Sequence, residues 1–111
     1  GGWMQQKSRS DLPVDDCTAL IAQASRTTPQ AEGAAHSYYA SGLCYLYSDK
    51  LGRDRVAAGA WLTRAAELDH PLARRALLAL RDNSAEPHPT GYHCHDLGLG
   101  RKVCHGDAVL Q

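Results

Sequence analysis

The chain of 111 residues has no phenylalanine, one methionine and two tryptophans, so large apolar side chains are scarce. Its 17 alanines and 14 leucines favour closely packed helices over a β-sandwich, which needs β-branched and aromatic residues. No apolar run approaches the roughly 18 residues of a membrane-spanning helix, so we expect no membrane insertion. The sequence therefore predicts an all-α fold, a short antiparallel helical-hairpin solenoid with a small disulfide-closed C-terminal tail.

An excess of charge of either sign is also missing, because 12 lysines and arginines balance 12 aspartates and glutamates. Without a positive field to attract phosphates, we expect no nucleic-acid partner. The sequence contains no Gly-x-Ser-x-Gly, Walker or dinucleotide-binding motif. We therefore predict a non-enzymatic protein with no catalytic residues and no cofactor.

Composition divides the chain into a polar tail at 1–12, a helical domain at 13–83 and a cysteine- and histidine-containing tail at 84–111 that is a candidate hairpin. The first seven residues lack the apolar segment of a signal peptide, and the leading Gly-Gly resembles a cloning remnant. We therefore expect that a signal peptide or membrane anchor has been removed ahead of residue 1.

Apolar spacing within the helical domain predicts four helices, near 14–26, 29–48, 54–68 and 71–81. Helix-start signals precede three of them: Thr28 before Pro29, Asp54, and Asp69 or His70 before Pro71. Trp61 is expected in the core, because large aromatic side chains are usually buried.

Part of the helical domain carries a pattern with defined spacing. Its segments are Gly42-Leu43-Cys44-Tyr45-Leu46, a loop Asp54, Ala58 with Trp61, and Arg64-Ala65-Ala66-Glu67-Leu68-Asp69-His70. With these residues the stretch 35–73 resembles a Sel-1-like repeat, a relative of the tetratricopeptide repeat, although Asp69 stands where that family has glycine. The resemblance implies a helical hairpin that binds another protein, as an adaptor or assembly factor of a bacterial envelope or secretion complex.

Two groups of side chains are candidates for the partner-binding surface. Tyrosine is enriched at binding hot spots, and arginines in a strip would suit an acidic groove. The candidates are Tyr38, Tyr45, Tyr47, Arg64, Arg74 and Arg75. The alternative interpretation makes the tyrosines core residues and the arginines solvated surface. An alternative function is an immunity or inhibitor protein that binds a toxin.

Four cysteines without a Cys-x-x-Cys motif predict two disulfides and an oxidising compartment, periplasmic or outside the cell. Three connectivities are possible for four cysteines. Cys17 and Cys44 lie at similar distances on either side of the turn near Pro29, and Cys94 and Cys104 are placed symmetrically, as in a hairpin. We therefore predict the pairs Cys17–Cys44 and Cys94–Cys104, with four reduced thiols as the alternative.

Three of the six histidines cluster at positions 93, 95 and 105 of the C-terminal tail. In a hairpin, His93 faces His105 and His95 shares their side, while the two cysteines take the other. Three imidazoles on one face could bind zinc or copper, and with reduced thiols a mixed site of His93, Cys94, Cys104 and His105 would compete. Neither spacing matches a strong metal signature, so we predict solvated histidines and no metal, with metal binding as the alternative.

Overall fold

The computed structural model describes residues 15–81, 91–98 and 100–107. In chain order it has helices α1 (Cys17–Ser25), α2 (Ala34–Tyr47), α3 (Arg55–Glu67) and α4 (Pro71–Arg81), then strands β1 (Gly91–Gly98) and β2 (Arg101–Asp107). The prediction of an all-α fold is wrong, because β1 and β2 pair as an antiparallel sheet. The predicted tail at 1–12 and the start of the expected C-terminal tail at 84–90 lie outside the described residues.

The sequence predicts that α2 begins near residue 29, but in the structure it begins at Ala34. Its N-cap residue is Gly33, whose φ of 79° lies in the left-handed region that glycine enters cheaply. Thr28 is the expected cap, but here its backbone oxygen accepts a hydrogen bond from the backbone N–H of Ala31 at 3.0 Å. Residues 28–33 therefore form turns, and the helix starts after the left-handed glycine.

The predicted caps of the next two helices are confirmed. Asp54 Oδ1 accepts hydrogen bonds from the N–H groups of Val56 and Ala57 at 3.0 and 3.1 Å, which satisfies two exposed donors at the start of α3. His70 Nδ1 accepts from the N–H of Ala73 at 3.3 Å and caps α4 in the same way. The residue before it, Asp69, has a φ of 67°.

Helices α2 and α3 pack closely because Gly42 has no side chain. A Cβ added at this residue would meet Leu62 Cγ at 2.6 Å. The core on this side combines two large side chains, Tyr38 and Leu62, with four alanines, Ala24, Ala34, Ala65 and Ala73. Trp61 is expected in the core, and it packs against this core with its ring 5.8 Å from that of Tyr38, but it is only half-buried.

A second core joins the hairpin to the helices. Leu97 of β1 is 1% exposed and Val103 of β2 is 0% exposed. They pack with residues of α1 and α2, namely Cys17, Leu20, Ala40, Leu43 and Cys44. Because this inner face is apolar at the turn end of the hairpin, the strands gain burial that a solvated tail would lack. This shared core is why the fold is mixed rather than all-α.

Polar contacts also hold the hairpin against the helices. His36 of α2 donates through Nε2 to the backbone oxygen of Leu97 at 2.7 Å, since a carbonyl only accepts. On the other side, Asp15 forms a β-bridge with Val103, and the N–H of Lys102 donates to Asp16 Oδ2 at 2.9 Å. The segment before α1 therefore lies along the outer edge of β2.

The structure contains both predicted disulfides. Cys17 and Cys44 have Cα atoms 5.5 Å apart and join the start of α1 to the end of α2. Cys94 and Cys104 are directly paired across the hairpin. No cysteine is free, so the mixed zinc site is not formed. Two disulfides indicate an oxidising, extracytoplasmic environment. Within the described ranges, no helix combines the length and apolar character needed to cross a membrane.

Candidate metal centre

Three histidines lie together on the inner face of the hairpin. His93 and His95 belong to β1, and His105 of β2 is the direct partner of His93. Because side chains alternate along a strand, the face that carries Leu97 and Val103 into the core also carries all three imidazoles. We call His93, His95 and His105 the histidine trio. The expectation that they share one face is confirmed, but the expectation that they are solvated is wrong for His105, which is 2% exposed.

The ring nitrogens of the trio point toward one another. Nε2 of His95 lies 3.1 Å from Nε2 of His93 and 3.0 Å from Nε2 of His105. One potential ligand atom from each residue lies within 4.8 Å of the others. Three nitrogens around an ion at zinc–histidine bond lengths would be separated by about 3.3 Å in a tetrahedral arrangement. Two of the three separations are therefore close to the spacing that one metal ion requires, and the third is at most 4.8 Å.

Tyr47, at the end of α2, covers the trio on the helix side. Its ring is stacked on His95, with centroids 3.7 Å apart and planes 4° from parallel. It also lies 5.6 Å from the ring of His105. Tyr47 is half-buried here, so this tyrosine, which the sequence assigns to a partner surface, contacts the trio instead.

The trio has one buried and two half-buried members. His105 is buried, whereas His93 and His95 are partly exposed. An ion held by all three nitrogens would therefore be reachable from solvent on the side of His93 and His95. Three protein ligands with an open fourth position are the donor set of exchangeable or catalytic metal sites, in contrast to closed structural sites with four protein ligands.

Arg53 contacts the trio from the loop before α3. Its Nη2 lies 2.7 Å from Nδ1 of His105, the ring nitrogen directed away from the other two histidines. The same Nη2 forms an ion pair with Asp49 at 3.2 Å. The sequence gives no signal for this contact, because Arg53 and His105 are far apart in the chain and no periodic pattern links them.

Two further histidines lie on the helical side. The rings of His36 and His70 are 5.8 Å apart, and Tyr39 stacks on His70 at 4.4 Å. Partial burial lowers the pKa of His70 below its usual value of 6.5, and the nearby His36 lowers it further. Each ring has one nitrogen bonded to the backbone, at Leu97 and at Ala73. We call His36 and His70 the helical pair.

The predicted partner-binding residues differ in their burial and in their contacts. Tyr38 is fully buried and donates its hydroxyl to the backbone oxygen of Thr27 at 2.6 Å, so it is unavailable to a partner. Tyr45 is half-buried. Arg64 is exposed and lies over the rings of Tyr38 and Trp61, at 4.3 and 4.9 Å from their centroids.

The remaining two arginines lie on α4. Arg74 is exposed and pairs with Asp69 at 2.7 Å. Arg75 is exposed as well. Pairing with Asp69 partly neutralises the basic strip that the sequence predicts, and exposed ion pairs of this kind contribute little to stability.

Comparisons with protein-family models, curated proteins and solved structures find no match to this chain. The similarity to Sel-1-like repeats therefore stays a prediction from the residues that carry it. Function has to be inferred from geometry, and the histidine trio is the described feature whose geometry is closest to a ligand site.

Proposed function

We propose that this protein binds a divalent transition-metal ion, zinc or copper, through His93, His95 and His105. The observation that carries the proposal is the convergence of three Nε2 atoms, with separations of 3.0 and 3.1 Å. Neutral imidazole is a preferred ligand of both ions. A neutral Nε2 either donates one hydrogen or offers one lone pair, so His95 Nε2 cannot make a full hydrogen bond to both of its neighbours, whereas a cation at the centre would accept a lone pair from each of the three nitrogens.

The surroundings of the trio support the proposal because they hold the ligands in place before an ion arrives. The Cys94–Cys104 disulfide links the two strands at the residue pair next to His93 and His105. The stacked ring of Tyr47 restrains His95. Ligands that are already ordered lose little conformational entropy on binding, and this raises affinity.

Calorimetric titration of the oxidised full chain with Zn²⁺ and, separately, Cu²⁺ tests the proposal. We expect saturable binding of one ion per chain. The matched control replaces all three trio residues by alanine and leaves both disulfides in place. Equal heats for the two proteins would contradict the proposed function.

A second candidate function concerns the helices. We propose that the helical part is a Sel-1-like unit that binds another protein, as an adaptor or assembly factor of a bacterial envelope or secretion complex. Support comes from Asp69, whose positive φ of 67° falls at the position where the family has glycine. Helix α4 also presents Leu72 and Leu78, which are 48% and 54% exposed.

This second proposal is tested by capture from the native host and mass spectrometry of bound proteins. A Leu72→Glu/Leu78→Glu double variant is the matched control, because both side chains are exposed and the change should leave the fold intact. We expect a specific partner that the variant loses. A single tightly bound toxin would favour the immunity-protein alternative, and identical captures by the two proteins would contradict binding through α4.

A further inference from the structure

Arg53 determines which nitrogen of His105 carries the proton. A guanidinium has five donors and no acceptor, so Nδ1 of His105, 2.7 Å from Arg53 Nη2, accepts the hydrogen bond. In the neutral ring the proton then lies on Nε2, the nitrogen that faces His95 at 3.0 Å. The ring nitrogen that points into the trio is therefore occupied by a hydrogen in place of the lone pair that a metal needs.

Metal binding through Nε2 requires the opposite tautomer. A ligating histidine almost always donates its other N–H to a carboxylate, a carbonyl or water, and this outer partner strengthens the metal bond. At His105 the outer partner is itself a donor, so two N–H groups would face each other after an ion binds. Loading the trio therefore requires the guanidinium of Arg53 to move away from Nδ1.

Asp49 gives the guanidinium of Arg53 an alternative partner. Asp49 Oδ1 already lies 3.2 Å from Arg53 Nη2, and the side chains of Arg53 and Asp49 are 45% and 60% exposed. Arg53 can therefore turn toward Asp49 and solvent and remain paired. Because both side chains are on the surface, this rearrangement does not disturb either core.

We propose that Arg53 gates the histidine trio by holding His105 in the tautomer that cannot bind an ion through Nε2, and that it shifts toward Asp49 when an ion binds. The inference rests on the proposed metal function and adds its regulation. Arg53 acts through His105 and is a positioning residue that lowers metal affinity. Removing its donor while supplying an acceptor should therefore strengthen binding.

The test compares zinc affinity in the wild-type chain and in an Arg53→Gln variant, whose amide oxygen can accept from Nδ1–H. We expect about tenfold tighter binding, since outer partners typically change metal affinity by about 10–100-fold. Arg53→Lys keeps the positive charge and offers only donors, so it should leave the affinity close to the wild-type value. Arg55→Gln removes a neighbouring charge, at a residue that donates to Leu80 O, and should also have little effect.

Nitrogen NMR of His105 in the metal-free proteins gives a second readout that does not depend on zinc. We expect the Nε2–H tautomer in the wild-type chain and a shift toward Nδ1–H in Arg53→Gln. Wild-type binding with no gain in Arg53→Gln, or an equal gain in Arg55→Gln, would overturn the gate and leave the metal function standing. Absence of zinc binding in both the wild-type and Arg53→Gln proteins would overturn the two together.

Discussion

The helical pair and the histidine trio use the same side chain in different ways. His36 and His70 each direct a ring nitrogen at a backbone group, the oxygen of Leu97 and the N–H of Ala73. The trio directs its Nε2 atoms at one another. A histidine bonded to the backbone holds elements together, whereas nitrogens that converge form a ligand set. The difference shows that nitrogen direction distinguishes a structural histidine from a candidate ligand when burial alone does not.

The largest expected effect is the difference in zinc affinity between a variant that lacks one member of the trio and a variant that lacks one member of the helical pair. We expect His95→Ala to abolish measurable zinc binding, because His95 Nε2 is the atom shared by both short contacts of the trio. We expect His36→Ala to leave zinc affinity unchanged and to lower the stability of the fold. Calorimetry and thermal unfolding of both variants measure the two effects, and loss of zinc binding in His36→Ala would contradict the division of roles.

The two disulfides should also differ in their roles, because only Cys94–Cys104 joins the strands that carry the trio. Replacing Cys17 and Cys44 by serine should lower the free energy of unfolding by about 4 kcal/mol, from the entropy of the loop they close. Replacing Cys94 and Cys104 should cost less stability, about 3 kcal/mol, but should also weaken zinc binding, because the strands that carry the trio lose their cross-link. Denaturation and zinc titration of both double variants check this, and equal zinc affinities would show that the hairpin holds the ligands without its disulfide.

Substitution of Gly98 tests whether the contact between the hairpin and His36 contributes to stability. An added Cβ would overlap the His36 ring at a residue whose φ is 85°, so Gly98→Ala should destabilise the fold by about 1–3 kcal/mol. Gly100 has a similar φ of 76° but open space around it, and Gly100→Ala should cost about 1 kcal/mol. Urea denaturation distinguishes the two, and equal losses would mean that backbone strain alone matters.

The smallest expected effect is a pH dependence from His70. Its pKa is lowered by burial first and then by His36, so the unfolded chain takes up the proton before the folded chain does. Stability from this group is therefore complete above about pH 6.5 and decreases as the pH falls through that value toward the lower folded pKa. His70→Asn keeps a capping side chain and should flatten this decrease. Parallel stability profiles for the two proteins would contradict the assignment.

Local signals account for the parts of the fold that could be predicted. Asp54 caps α3 because a short acidic side chain before an apolar run satisfies nearby N–H groups, and this needs no knowledge of the rest of the chain. The cysteine pairing followed from the symmetry of positions around two turns. Even the common face of the trio followed from strand alternation, once a hairpin was assumed.

Long-range contacts account for what could not be predicted. Burial of Leu97 and Val103 against α1 and α2 depends on how the hairpin is placed, and one apolar residue on the inner face of each strand gives a weak signal. The approach of Arg53 to His105 joins residues from separate elements. Pro29 gives a stronger start signal than Gly33, so the sequence places the start of α2 too early. Local rules therefore predicted elements and pairings but missed the shared core and the environment of the candidate metal centre.

The bridge between Asp15 and Val103 has a consequence for self-association. A two-stranded sheet exposes unpaired backbone groups along its outer strand, and these can recruit a strand from another molecule. Here the backbone of Asp16 and its carboxylate pair with Lys102, at 3.3 and 2.9 Å. A strand from a second chain would have to displace this acidic segment before it could extend the sheet at that position, so the fold discourages growth into β-aggregates there.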